Sequence, residues 1–98
     1  MSVTLVEKEK FLQELKKMEY GEKATLKSNL KNLGLSEEVI EDAYKEFNLV
    51  GVFSHGYDGL CKLRFSLTDF GKKYCDTFLS FNQIKQGLVA IKSEFNVQ

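Results

Sequence analysis

The spacing of apolar residues changes after Asn48 from that of a helix to that of a strand, and this change limits the folds available to the chain. Before Asn48, apolar residues recur every three or four positions, which is the period of an α-helix. After it come a short β-branched and aromatic run and then a strict alternation from Leu60 to Leu67, as in β-strands. The sequence therefore predicts a mainly α chain with a small β-hairpin, in the α+β class.

Three helices are predicted before the hairpin. The first covers about residues 6–18 and the second about residues 23–33. Gly34 is expected to end the second helix, because glycine readily adopts the left-handed conformation found at helix C-termini. Ser36 is expected to cap a third helix at residues 37–47, whose first turn carries acidic residues that suit the helix dipole. Two helices joined by so short a turn predict a helix-turn-helix.

The hairpin is predicted from strands at residues 49–54 and 60–67, joined by a glycine-rich turn at residues 56–59. In the second strand, Cys61 alternates in phase with three apolar residues, so we expect it to be a small buried residue. Those residues are Leu63, Phe65 and Leu67. Thr68 follows as the expected cap of a further helix.

A C-terminal amphipathic helical segment is predicted at residues 69–95. Apolar residues there are spaced alternately by three and four, which is the seam of a short coiled coil. They are Phe81, Ile84, Leu88, Ile91 and Phe95. We expect this seam to form a homodimer, although the same stripe could pack against its own domain. Gly87 lowers helix propensity by about 1 kcal/mol relative to alanine. The sequence therefore leaves open whether the segment is one continuous helix or two shorter helices.

Composition narrows the class of protein further. The 98 residues are expected to form a single domain, 1–98, with 14 basic and 14 acidic residues and therefore no net charge. No apolar run approaches the roughly 18 residues of a membrane-spanning helix, and the two cysteines form no disulfide pattern, so we expect a cytoplasmic protein. His55, Cys61 and Cys75 do not have the spacing of a zinc site. We expect no metal, no cofactor, no membrane partner and no enzymatic activity.

The stretch from Leu67 to Tyr74 resembles the L-T-x-x-G sequence that closes the wing in small MarR- and PadR-like regulators. It is also similar to small winged-helix proteins of phages and other mobile elements. The resemblance implies a winged helix-turn-helix fold with an additional C-terminal amphipathic helix. It implies a DNA-binding transcriptional regulator of phage or mobile-element type, with residues 37–47 as the recognition helix. The wing tip would lie at residues 54–60 and include His55 and Tyr57.

The charge of the predicted recognition helix opposes DNA binding. Residues 34–48 carry one basic and five acidic residues, a net charge of −4, whereas phosphate contacts require basic side chains. Double-stranded DNA would therefore be contacted by cations elsewhere, namely Lys27, Lys31, Lys62, Arg64, Lys72 and Lys73. Lys23, Lys27 and Lys31 form a stripe at four-residue spacing. The acids could simply solvate their helix. In the alternative interpretation, the acidic third helix or the wing docks a protein partner, and the chain does not bind DNA.

Overall fold

The computed structural model describes residues 3–81, and its elements follow the predicted order with one addition. The helices are α1 (Leu5–Met18), α2 (Lys23–Asn32) and α3 (Glu37–Leu49), and the strands are β1 (Tyr20–Glu22), β2 (Phe53–Tyr57) and β3 (Leu63–Leu67). A further helix, α4, is described over residues 69–81. The part of the predicted C-terminal segment from residue 82 onward lies outside the described residues.

The added element is β1, which turns the predicted hairpin into a three-stranded antiparallel sheet of order β1-β3-β2. Tyr20 is paired with Ser66 and Glu22 with Arg64, so β1 lies along the side of β3 that faces away from β2. The prediction of only two strands was incomplete because three residues are too few to show an alternating pattern. β1 leads directly into α2, so it fixes the start of that helix against the sheet.

Gly34 ends α2 as predicted. The amide of Leu35 donates to the carbonyl oxygen of Leu30 at 3.1 Å, and the amide of Gly34 donates to that of Lys31 at 3.0 Å. These two hydrogen bonds define a Schellman motif, and Gly34 adopts the positive φ of 94° that the motif requires. The short turn leads to Ser36, the N-cap of α3, whose hydroxyl accepts a hydrogen bond from the amide of Val39 at 3.3 Å.

The same motif ends α3, and here the prediction was wrong. The amide of Val52 donates to the carbonyl oxygen of Phe47 at 3.0 Å and that of Gly51 to Asn48 at 3.1 Å, with φ of 86° at Gly51. Residues 49–54 are therefore not one strand, because the helix continues to Leu49 and β2 begins only at Phe53. A β-branched run before a glycine can end a helix as well as begin a strand.

The wing turn lies later in the chain than predicted. The amide of Asp58 donates to the carbonyl oxygen of Lys62, and the amide of Cys61 donates to that of Asp58, each at 3.0 Å. The turn thus occupies residues 58–62 rather than 56–59, and β3 begins only at Leu63. The expectation that Cys61 is a buried strand residue was wrong, because it is exposed in this turn with a φ of 59°. Its alternation with the strand residues is accidental.

The core lies between the first three helices and one face of the sheet. The ring of Phe11 in α1 stacks on Phe47 of α3, with centroids 5.5 Å apart, and lies 6.5 Å from Phe53 of β2. Phe53 meets Phe65 of β3 edge-on at 6.2 Å. One continuous aromatic cluster therefore joins helices to sheet, and each aromatic pair adds to the stabilisation given by burial.

The L-T-x-x-G stretch is the joint between the sheet and α4. The Oγ1 of Thr68 accepts a hydrogen bond from the amide of Gly71 at 2.8 Å. The same oxygen lies 2.7 Å from the carbonyl oxygen of Gly51 and 3.0 Å from that of Val52, so its proton is donated there. A Cβ added to Gly71 would lie only 1.7 Å from the Val52 oxygen. The motif therefore caps α4 and lets its backbone approach Val52, in the segment between α3 and β2.

Candidate nucleic-acid interface

The lysine stripe of α2 faces the acidic residues of α3. Lys27 Nζ lies 2.7 Å from Glu37 Oε1 and 3.1 Å from Glu41 Oε1, while Lys23 Nζ lies 2.9 Å from Glu41 Oε2. Lys31 Nζ is more distant, 3.9 Å from Glu37 Oε2. We call these five residues the α2–α3 ionic cluster. Hydrogen bonds from Lys27 and Lys23 hold the pKa values of Glu37 and Glu41, respectively, below the ordinary value, and the two carboxylates raise the pKa of Lys27.

The helical period explains this arrangement. Side chains four residues apart lie on one face of a helix, and the short turn at Gly34 sets the two helices side by side. Glu37 and Glu41 therefore meet the stripe formed by Lys23, Lys27 and Lys31. Both patterns are visible in the sequence, but their pairing was not predicted. The signal that joins them is the matching four-residue spacing on two helices connected by a short turn.

The cations of the wing are paired more loosely. Lys62 Nζ lies 3.5 Å from Glu22 Oε1, while Arg64 Nη1 lies 3.9 Å from the same oxygen and 3.8 Å from Asp58 Oδ2. The side chains of Lys62 and Arg64 are 58% and 43% exposed. Exposed ion pairs at such distances contribute little to stability. An anion of higher charge can therefore displace the carboxylates from Lys62 and Arg64.

The Asp58 carboxylate holds the wing turn in one shape. Its Oδ1 accepts hydrogen bonds from the amides of Leu60, at 2.8 Å, and Lys62, at 3.0 Å. These backbone hydrogen bonds hold the pKa of Asp58 below its ordinary value. The carboxylate is therefore directed into the turn, and the apolar side chain of Leu60, 79% exposed, projects from it.

A surface cleft of about 470 Å³ brings the helix-turn-helix and the wing together. Its walls combine three lysines and two glutamates with two small or apolar residues: Lys23, Lys27, Lys62, Glu22, Glu41, Ala24 and Leu63. Two of the predicted contact residues, Lys27 and Lys62, thus line one cleft although 35 positions separate them in the sequence. The three lysines outnumber the two glutamates, so the lining keeps a net charge of +1, and an anion that displaces the carboxylates would meet all three lysines.

A second hollow, of about 540 Å³, lies along the wing and contains His55, Tyr57 and Arg64. The placement of His55 and Tyr57 at the wing tip needs correction, since both belong to β2 and the turn itself begins at Asp58. The His55 ring meets the Tyr44 ring edge-on at 5.9 Å. Tyr57 is the last residue of β2 and is 76% exposed, so it remains available to a partner.

Lys72 and Lys73 stand apart from the other predicted contact residues. Both are exposed near the start of α4, and neither lines the two hollows. Within residues 3–81, neither forms an ion pair. The structure therefore divides the six candidates into a group around the helix-turn-helix and wing and a separate pair on α4.

The predicted dimer seam begins at the edge of the described region. Tyr74 and Phe78 of α4 are half-buried and pack against the core, whereas Phe81 is 63% exposed. The apolar stripe thus passes from the core to the surface along α4. Ile84, Leu88, Ile91 and Phe95 lie outside the described residues.

Two further features bear on other functions. Cys75 is fully buried and burial raises its pKa to about 11, so its thiol is not poised as a nucleophile. Across residues 3–81, no three His, Cys, Asp or Glu side chains are grouped so that they could hold a metal ion. In the same part of the chain, every helix is too short or too polar to cross a membrane.

Comparison with known proteins supports the fold. No protein-family model matches the sequence, and no curated protein does. The structure is similar to that of MepR, a transcription regulator of the Staphylococcus aureus multidrug efflux pump MepA, with a TM-score of 0.64 and 17% sequence identity. The match covers 91% of this chain but only 65% of the MepR chain, so this chain is the shorter of the two. The predicted fold is thus confirmed: the chain adopts a winged helix-turn-helix fold, mainly helical, with a small antiparallel sheet.

Proposed function

We propose that this chain is a DNA-binding transcriptional regulator, of the type carried by phages or mobile elements. The observation that carries the proposal is the cleft in which Lys23 and Lys27 of the helix-turn-helix meet Lys62 of the wing. Lysines that converge from two elements can contact successive phosphates of a duplex backbone. The fold of MepR, a transcription regulator, adds support by analogy. The assignment to a phage or mobile-element type rests on the sequence resemblance alone.

Within this proposal, the predicted contact residues have different roles. Lys27 and Lys62 line the cleft and would contact phosphates from its two sides, and Arg64 extends the positive surface along the wing. Lys31 lies one helical turn beyond Lys27. Lys72 and Lys73 form a second surface on α4. This surface would contact only the part of the DNA that lies outside the cleft. A regulator of this kind acts in the cytoplasm, where we place the chain.

The proposal predicts binding to generic duplex DNA that depends steeply on salt. Each neutralised phosphate contributes a slope of about −0.9 in a plot of log affinity against log salt. Because Lys23 and Lys27 already lie beside carboxylates, the more loosely paired Lys62 and Arg64 should set a wild-type slope of about −2. The measurement is a fluorescence anisotropy titration of a labelled duplex at several salt concentrations. Absence of binding at about 50 mM salt, where such contacts are strong, would contradict the proposal.

A protein-interaction function is the second candidate, and one observation favours it. Glu38 is exposed and Asp42, one helical turn further along α3, is half-buried, and neither forms an ion pair with any residue in the range 3–81. Such an acidic face suits a basic protein surface better than DNA. The salt titration separates the two functions, because a module that docks a basic protein does not bind the duplex.

We also propose that the chain forms a homodimer through the seam from Phe81 to Phe95. The exposure of Phe81, next to half-buried Phe78, supports this proposal because an apolar stripe that leaves its own core needs another partner. Light scattering should give twice the chain mass for the intact protein and one chain mass for a version truncated after Leu79. An intact chain that remains monomeric at high concentration would refute the dimer.

A further inference from the structure

We propose that the lysines of α2 form a phosphate-binding surface that Glu37 and Glu41 occupy in the free protein. The two glutamates then act as built-in competitors of the DNA backbone and reduce affinity for every polyanion. This inference rests on the proposed function and deepens it, since it identifies residues of the predicted recognition helix that oppose binding. It also gives the acidic charge of α3 a role.

The geometry around Lys27 supports an oxyanion site. Its Nζ has carboxylate oxygens at 2.7 and 3.1 Å, and Lys23 Nζ has one at 2.9 Å. The distances of 2.7 and 2.9 Å are those of charge-assisted hydrogen bonds, and a phosphate group presents the same kind of oxygen. Glu37 and Glu41 therefore stand where phosphate oxygens of a bound duplex would stand.

The relative exposure of the two partners shows how the exchange can occur. The side chains of Lys23 and Lys27 are 22% and 26% exposed, whereas those of Glu37 and Glu41 are 62% and 41% exposed. The lysines are thus held close to the protein, and the carboxylates lie on the outer side. A phosphate entering the adjoining cleft, which Lys62 also lines, needs only new rotamers of the two glutamates.

This arrangement lowers the affinity for polyanions that contact only the lysine stripe of α2. A polyanion that contacts only the stripe must displace two carboxylates and then lie beside them, so it gains little net attraction. A site that also contacts the wing gains interactions that the glutamates do not oppose. Glu37 and Glu41 therefore act as specificity-determining residues, because they suppress the binding of polyanions that contact the α2 lysines without the wing.

The first test is the substitution Glu37→Gln with Glu41→Gln, which keeps the size of both side chains and removes their charge. We expect a generic duplex to bind about tenfold more tightly, the effect of one or two weak ion pairs. The salt slope should steepen by about 2, since Lys23 and Lys27 are each free to replace one counterion. In the free protein, the pKa of Lys27 measured by NMR should fall, and an unchanged value would overturn the inference.

A double-mutant cycle then isolates the competition from the change in net charge. Lys27→Gln should weaken duplex binding only slightly in the wild-type background, where carboxylates already neutralise this lysine. In the Glu37→Gln, Glu41→Gln background the same substitution should cost several-fold more. The matched control is Glu38→Gln with Asp42→Asn, which removes the same charge from α3, and there the cost of Lys27→Gln should equal the wild-type cost.

Each outcome bears on one proposal or on both. An equal cost of Lys27→Gln in all three backgrounds overturns the inference and leaves DNA binding intact. If neither the wild type nor the Glu37→Gln, Glu41→Gln variant binds the duplex at about 50 mM salt, both the inference and the proposed function are wrong. Thermal unfolding of every variant shows whether the substitutions leave the fold in place.

Discussion

Replacing Gly71 with alanine should destabilise the protein by roughly 3 kcal/mol or more, at the upper end of the range for overpacked sites. The added Cβ would lie 1.7 Å from the carbonyl oxygen of Val52 and 2.7 Å from its carbonyl carbon. Neither atom can move away alone, because Val52 also accepts the amide hydrogen bond of Thr68 at 3.1 Å. α4 would have to move away from Val52, which would expose Cys75 and the half-buried Tyr74.

Thermal or urea unfolding of the variant measures this effect. For a domain of this size, 1 kcal/mol corresponds to a change in Tm of about 4–8 °C, so the expected fall is on the order of 12 °C or more. Gly56→Ala is the matched control, since an added Cβ there meets no atom within 4 Å. A Gly71→Ala variant as stable as that control would show that α4 does not approach Val52 as described.

The second large effect is expected from reversing the charges of the wing. Lys62→Glu combined with Arg64→Glu should weaken duplex binding on the order of a hundredfold at low salt, because two phosphate attractions become repulsions. The wing stays anchored by Asp58, whose hydrogen bonds are to backbone amides and not to the substituted side chains. Anisotropy titrations of the wild type and the variant against the same duplex provide the comparison.

Two controls make this result specific to the wing. Lys10→Glu with Lys17→Glu changes the net charge equally at positions on α1 that line neither hollow, and it should have a much smaller effect. Lys62→Gln with Arg64→Gln avoids repulsion by Glu22 and by Asp58, the carboxylates that lie beside these cations, and should give an intermediate loss. If reversing the wing charges and reversing those on α1 weaken binding equally, the wing is not a contact surface.

The fold was largely predictable because its main signals are local. Gly34 ends α2 and Ser36 begins α3, so the two signals lie close together in the sequence. Thr68 caps α4 as predicted. The errors arose where a local pattern has two meanings. Gly51 ends a helix in a run that also resembles a strand, and Cys61 continues a strand alternation into a turn.

The candidate site was predictable as residues but not as contacts. The lysine stripe and the acids of α3 are both visible in the sequence, yet their pairing depends on how closely two helices pack. Likewise, nothing in the sequence near Lys62 indicates Lys27 as its neighbour across the cleft. β1 was missed for the same reason, since its identity as a strand comes from pairing with β3.

The central claim is that the cleft between the helix-turn-helix and the wing binds the DNA backbone. The most direct measurement is an NMR titration of the labelled chain with a generic duplex at about 50 mM salt, followed residue by residue. The claim predicts the largest shifts at Lys23, Lys27 and Lys62, lost as salt increases. No shifts, or shifts confined to Lys72 and Lys73 on α4, would contradict it.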